Sequence, residues 1–290
     1  MVPHKKASLF LTLLFSVNTY AEITLTSAQG TSNERKTYAH QLLQAALNTT
    51  AVDNHIDSVK QVPVSYGYDA RTYLVTKGQA DVTYFPAEKQ VEKQLIPIRI
   101  PIYKGLMGYR FLLINSKTQA KYDAIMDVSQ LKGLIKGTGT RWRMTEVYES
   151  HNFLNVKAEK NHSLFKMLNA GRIDYTTRGV IEAAETLNSI ERHFPNLKIE
   201  NSILLYTELP IYFFVGTHNP KLAKRIEAGL LQMIESGQFD KIFYAFYKTI
   251  PTSLTLKNRK VFHVENPFLS TETKENALNF WQQHNSPLPF

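Results

Sequence analysis

Gly78-Gln79-Ala80-Asp81-Val82-Thr83 recurs, with Gly, Asp and Thr in the same places, as Gly171-Arg172-Ile173-Asp174-Tyr175-Thr176. Each copy follows a segment of helical spacing, Thr72 to Lys77 in the first case and Ser163 to Ala170 in the second. Glycine tolerates the left-handed conformation that closes a helix, and the β-branched and aromatic residues behind it favour a strand. Each copy therefore predicts helix, cap, strand. Two copies predict two α/β lobes; the competing reading is a chance match of a short, loose pattern.

Working outward, Glu22 to Ser27 alternates with Ile23 and Leu25 on one face, which predicts a half-buried first strand. Thr31 and Glu34 stand at the spacing of a capping box, and Tyr38, Ala39, Leu42, Leu43, Ala46 and Leu47 then recur at helical intervals. A second strand over 58–64 and a short helix over 69–77 complete an alternating β and α pattern. Tyr109 to Asn115 and Pro210 to Gly216 are apolar, rich in strand formers, and flank the region of the second copy. They read as crossings between lobes. On that reading lobe 1 is discontinuous, 22–115 plus 212–290, and lobe 2, 116–211, is inserted into it. The return runs into a punctuated helix, with Asn219 as N-cap, Pro220 in the first turn and Gly237 at the end, and then a second helix over 239–248.

Composition narrows the chemistry. The 290 residues include no cysteine, which removes disulfide scaffolds, thiolate metal sites and cysteine nucleophiles. The 34 Lys+Arg exceed the 25 Asp+Glu to give a formal charge of +9, but the basic residues are scattered rather than striped, so a nucleic-acid partner is not expected. The N-terminus reads as a signal peptide over 1–21. Its basic start (His4, Lys5, Lys6) precedes an apolar run from Ala7 to Val17 that is shorter than the roughly 20 residues needed to span a bilayer. Its removal takes two lysines and no acids, from +9 to +7, and leaves an exported, soluble product. No metalloprotease, esterase or dinucleotide motif is present and the histidines are dispersed, so neither a metal nor a cofactor is called for and the chain does not read as an enzyme.

Several residues are candidates for holding a ligand. Gly137-Thr138-Gly139-Thr140-Arg141-Trp142-Arg143 reads as a small-residue loop feeding a helix, where N–H groups, the hydroxyls of Thr138 and Thr140, and Arg143 would favour an anion. A plain turn with surface arginines is the alternative. Asp174 and Arg178 sit where a strand ends, the place at which open α/β sheets bind ligands. An Asp after a tight turn also bonds neighbouring backbone, and that structural role is the preferred reading for Asp81. In lobe 1, Tyr66, Tyr68, Tyr84 and Tyr103 could stack on a ligand, and Arg71 and Arg110 could clamp a carboxylate. Glu182 and Glu185 read as a solvated helix face. For an enzyme reading, the acid/base candidates near a crevice are Glu208, Asp174 and His162.

Taken in order, these features resemble the periplasmic solute-binding proteins of type 2, the amino-acid-binding-like family 3 of ABC transporters. The resemblance rests on the leader, the two Gly-x-x-Asp copies, Ile100-Pro101-Ile102-Tyr103, Leu131-Lys132-Gly133 before Gly137-Thr138, and the closing Gly237-Gln238-Phe239-Asp240-Lys241-Ile242. It implies a venus-flytrap: two mixed sheets flanked by helices, joined by two crossover strands, closing by hinge bending on a small polar, anionic or zwitterionic solute. It implies a monomer in the periplasm, working with an ABC permease or a membrane sensor. The family's amino-acid binders carry an arginine in the loop that here reads Phe85-Pro86-Ala87-Glu88-Lys89-Gln90, a departure that counts against an α-amino acid. The tail from Arg259 to Pro267 resembles a divergent subgroup whose ligands are mostly unassigned. Dehydratases on the same fold and free-standing sensory modules are the alternatives.

Overall fold

The computed structural model describes residues 22–28, 32–52, 57–64, 67–140, 142–247 and 259–284. In chain order its elements begin β1 (Glu22–Ala28), α1 (Asn33–Thr49), β2 (Ser58–Val64), α2 (Tyr68–Thr76), β3 (Val82–Pro86), α3 (Lys89–Glu92) and β4 (Leu95–Ile98). They continue with β5 (Tyr109–Asn115), α4 (Gln119–Asp123), α5 (Val128–Lys132), β6 (Lys136–Gly139), α6 (Arg143–Ser150), β7 (Asn155–Ala158), α7 (Asn161–Asn169), β8 (Tyr175–Gly179), α8 (Ala183–Ile190) and β9 (Leu197–Tyr206). β10 (Ile211–Gly216), α9 (Pro220–Glu235), α10 (Gln238–Tyr247), β11 (Lys260–His263) and α11 (Thr271–Gln283) close the chain.

The repeated motif does what its composition dictates. Gly78 and Gly171 follow α2 and α7 at φ +66° and +68°, a region open to glycine at little cost, and β3 and β8 begin a few residues later. The aspartates also act alike. Asp81 Oδ2 accepts from Thr24 N at 2.8 Å and Thr24 Oγ1 at 2.7 Å, and Asp174 Oδ2 accepts from Ile135 N at 2.7 Å. Each ties the start of its strand to a neighbour. The expected cap of α1 shifts by one residue: Thr31 lies outside the described residues, and Ser32 is the N-cap, accepting from Arg35 N. Asn219 caps α9 as expected.

The strands form two sheets. One has the order β2-β1-β3-β10-β4 and the other β11-β9-β5-β8-β6-β7, each mixing parallel and antiparallel pairs. α1, α9 and α10 pack together on the first sheet, burying Tyr38, Leu42, Leu43, Ile226, Leu230 and Phe243 completely. Removing an aliphatic side chain of this size from water is worth about 1.5–3 kcal/mol. β10 is buried along its whole length, as an interior strand covered on both faces must be.

The chain crosses between sheets at places other than those expected. β5 was expected to end lobe 1, yet it lies inside the second sheet between β9 and β8, so the passage falls before it, over 99–108. The return falls over 207–210, just ahead of β10. β5 is the apolar strand its composition predicts, but an interior strand of either sheet carries that pattern, so the pattern does not mark a crossing. The tail, expected in lobe 1, is divided: β11 pairs in parallel with β9 at the edge of the second sheet, while Trp281 of α11 donates to Pro101 O and packs on Phe239. The two connectors run side by side, with Ile102 N donating to Ile211 O at 2.9 Å and Thr207 N to Gly108 O at 3.1 Å. Gly108 permits that approach, since a Cβ there would lie 2.2 Å from Thr207 O.

Candidate functional site

A cleft of about 570 Å³ lies between the sheets. Its floor is made where strands end. β3 brings Tyr84 and Phe85 from one side, β8 brings Thr177 and Arg178 from the other, and Arg110 opens β5. The first turns of helices complete it, with Arg35 on α1, Tyr68 and Arg71 on α2, and Trp142 and Arg143 at the start of α6. Strand ends and helix N-termini expose backbone N–H groups and positive dipole ends, which suits an anion.

Two arginines are built into the walls in the same way. Arg71 is 4% exposed; its Nη1 donates to Tyr84 O at 2.9 Å and its guanidinium lies 5.2 Å from the Tyr68 ring and 5.0 Å from that of Phe85. Arg178 is 5% exposed; its Nη1 donates to Thr177 O at 2.8 Å, with Trp142 at 4.6 Å and Phe165 at 5.1 Å. One carbonyl and two rings fix each planar fork, and stacking is how a weakly hydrated guanidinium is held when buried. Arg71 Nε, Arg178 Nη2, Arg110 Nε and the Tyr84 hydroxyl are buried without a hydrogen-bond partner among the described residues. Burial pushes Arg178 down to about 10, with Glu182 opposing and Arg110 adding to the shift, so it stays cationic at neutral pH. Burial pushes Tyr84 up to about 12, so its hydroxyl keeps its proton.

Glu182 is the chief acid here. Arg35 Nη1 reaches its Oε1 at 2.7 Å, from the opposite lobe. Burial by itself would raise the Glu182 carboxyl, but Arg35, Arg110 and Arg178 outweigh it and hold the group below the usual carboxylate range. A second pair joins the lobes, Arg143 Nε to Glu88 Oε1 at 2.9 Å, and the Arg143 guanidinium lies 4.9 Å from the Tyr68 ring.

Of the residues singled out in the sequence, Arg71, Tyr84, Tyr103, Arg110, Arg143 and Arg178 line this cleft. Tyr66 lies outside the described residues. Three others stand elsewhere. Asp174 binds Ile135 N and Lys121 Nζ (2.7 Å each), taking the role of Asp81 rather than reaching the crevice. Thr138 is fully buried in β6, its hydroxyl 2.6 Å from Thr145 Oγ1. Thr140 is exposed beyond the strand, with its N–H on Ala158 O. The Gly-Thr run is thus a strand and no anion loop: a Cβ on Gly137 would meet Ile173 Cδ1 at 2.2 Å and one on Gly139 the Trp142 ring at 2.5 Å. Glu182, read as solvated, faces the cleft instead. Arg35 and Trp142 were not singled out, although Arg35 stands in the first turn of α1, the helix that follows β1.

The acid/base candidates also lie elsewhere. Glu208 is buried on the second connector, 2.6 Å from His263 Nε2, with Asn266 N on its other oxygen at 3.3 Å. His162 packs against Phe194 and His193. Among the described residues no group of three or more His, Asp or Glu could hold a metal ion.

No protein-family model and no curated protein matches the chain. Solved structures do match. An ancestral arginine-binding protein bound to glutamine superposes at a TM-score of 0.56 and 15% identity, over 79% of this chain and 99% of that one. An ancestral amino acid-binding protein, described as a precursor of cyclohexadienyl dehydratase, gives 0.54 and 14%, over 78% and 95%. A histidine kinase sensor domain with similarity to periplasmic binding proteins gives 0.54 and 13%, over 78% and 96%. The chain has the two-lobed α/β fold of these periplasmic binding proteins, two mixed sheets flanked by helices.

Proposed function

We propose that the chain is an exported solute-binding protein that captures a small anionic solute between its lobes and releases it unchanged, for an ABC permease or a membrane sensor. The observation that carries this reading is the pairing of Arg71 and Arg178 from opposite lobes. Each is over nine-tenths buried, stacked on two rings, and left with an unsatisfied N–H in one cleft. Orienting two buried cations with no acid at ion-pair distance among the described residues is costly unless an anion completes them. The expected leader over 1–21 is removed on export, and the lobes move about the paired connectors at Gly108 and Thr207. The working unit is a monomer in the periplasm. Binding without chemistry is favoured over a dehydratase because Glu208, Asp174 and His162 all lie outside the cleft lining. No helix of the described residues is long and apolar enough to cross a membrane.

The test is a thermal-shift screen of the mature protein against amino acids, organic acids, polyamines and short peptides. Each stabilising compound is then recovered and identified by mass spectrometry. An anionic hit returned unchanged is the expected result. Conversion of the hit to a product would establish the enzyme reading in its place.

A further inference from the structure

We infer that the ligand carries two anionic groups and no ammonium, with one anion held in each lobe; this rests on the solute-capture reading above. The first argument is charge. Arg35 is neutralised by Glu182 and Arg143 by Glu88. Arg71, Arg110 and Arg178 line the same cleft with no acid within ion-pair distance among the described residues, and the other lining acid, Glu185, is exposed at the rim. A monoanion would leave two of these three cations uncompensated in a confined site, whereas a dianion comes close to balancing them.

The second argument is the kind of hydrogen bond on offer. An ammonium donates only, so it needs oxygen acceptors. At the two strand ends each nearby acceptor already faces an arginine: Tyr84 O takes Arg71 Nη1, Thr177 O takes Arg178 Nη1, and Glu182 Oε1 takes Arg35 Nη1. Among the described residues, the unpartnered atoms in the walls include three donors, Arg71 Nε in lobe 1 and Arg110 Nε and Arg178 Nη2 in lobe 2, beside the Tyr84 hydroxyl, which donates or accepts. The two donor groups come from opposite lobes, so a molecule with an anion at each end would satisfy both and draw the lobes together. The rings of Tyr68, Phe85 and Trp142 give its organic body apolar walls.

Isothermal titration of the mature protein with a matched set tests this. The set is glutarate, adipate and phthalate as dianions, butyrate and benzoate as monoanions, and L-glutamate, which adds an ammonium to glutarate. At least one dianion should bind about tenfold or more tightly than the corresponding monoanion, and glutarate more tightly than glutamate. Arg71→Gln and Arg110→Gln should each weaken the bound dianion by about 10- to 100-fold, with circular dichroism confirming the fold. Arg110 is the half-buried member of the set, which keeps the test usable where a core variant fails to fold. Glutamate or a monoanion binding as tightly as the dianions would overturn the inference and leave the solute-capture reading standing. If no member of this set nor of the wider screen binds, both fall.

Discussion

Arg35 and Glu182 stand on opposite lobes and meet at 2.7 Å across the cleft. The pair is about three-quarters buried on each side, so it is less screened than a surface bridge and acts as an internal clasp between α1 and the segment before α8. Glu182→Gln removes the charge at constant shape. The expected outcome is a population shift toward separated lobes, seen as a larger radius of gyration in small-angle scattering, with a stability loss of no more than about 1 kcal/mol given the remaining exposure. The pH dependence follows from the depressed carboxyl. Its contribution is complete above the ordinary glutamate range and is lost as pH falls through the still lower folded-state value. Wild type and variant should therefore differ at neutral pH and converge in acid; a constant difference would show that the clasp is not ionic.

Gly108→Ala tests the junction of the connectors. A Cβ at 108 would lie 2.2 Å from the Thr207 carbonyl oxygen and 3.2 Å from the Tyr206 ring, and the Thr207 backbone leaves little room to give. Overpacking of this kind costs about 1–3 kcal/mol, so the urea midpoint should fall with the slope unchanged. An unchanged midpoint would show that the two connectors do not need their close approach.

What was legible in the sequence was whatever a residue declares through its own neighbours. The Gly-x-x-Asp copies gave both caps and both strands because a left-handed cap and a β-rich run are local facts. Arg178 was legible for a similar reason, since the end of a strand is itself readable. Glu182 was not, because its partner Arg35 lies 147 residues away, and an amphipathic pattern alone cannot tell solvent from a facing lobe. The run Gly137 to Gly139 misled in the other direction. Its glycines are needed because Ile173 and Trp142 occupy the space of their Cβ atoms, a tertiary cause that in sequence looks like a flexible loop.

Asp174→Ala separates a structural aspartate from a ligand contact. The side chain bonds Ile135 N and Lys121, and it is partly exposed. Losing an acceptor for a backbone N–H should lower stability by about 1–2 kcal/mol in urea unfolding. Affinity for any anionic ligand should stay within about twofold of wild type by titration, which allows only a few tenths of a kcal/mol of coupling. A tenfold loss of affinity with unchanged stability would return Asp174 to the site.

Lys136 offers a test in alkali. It is fully buried at the start of β6, its Nζ donating to Thr177 Oγ1 at 3.2 Å and lying 3.9 Å from the Tyr148 ring, and among the described residues it has no carboxylate partner. Burial, and after it the charges of Arg110 and Arg178, drives its ammonium well below the ordinary lysine range. The unfolded chain then binds more protons than the folded one at every pH between the lowered value and about 10.4, so this group makes stability rise with pH across that interval. Lys136→Met keeps the length and removes the titration. The variant should be at least as stable as wild type at pH 7, because a desolvated amine has been replaced by an apolar chain. Urea midpoints at pH 7 and 9.5 should show the variant's advantage shrinking as pH rises. A variant that loses stability at pH 7 would mean that Lys136 is charged and well solvated by its hydroxyl and ring partners, and that the amine contributes to the cation count beneath the cleft.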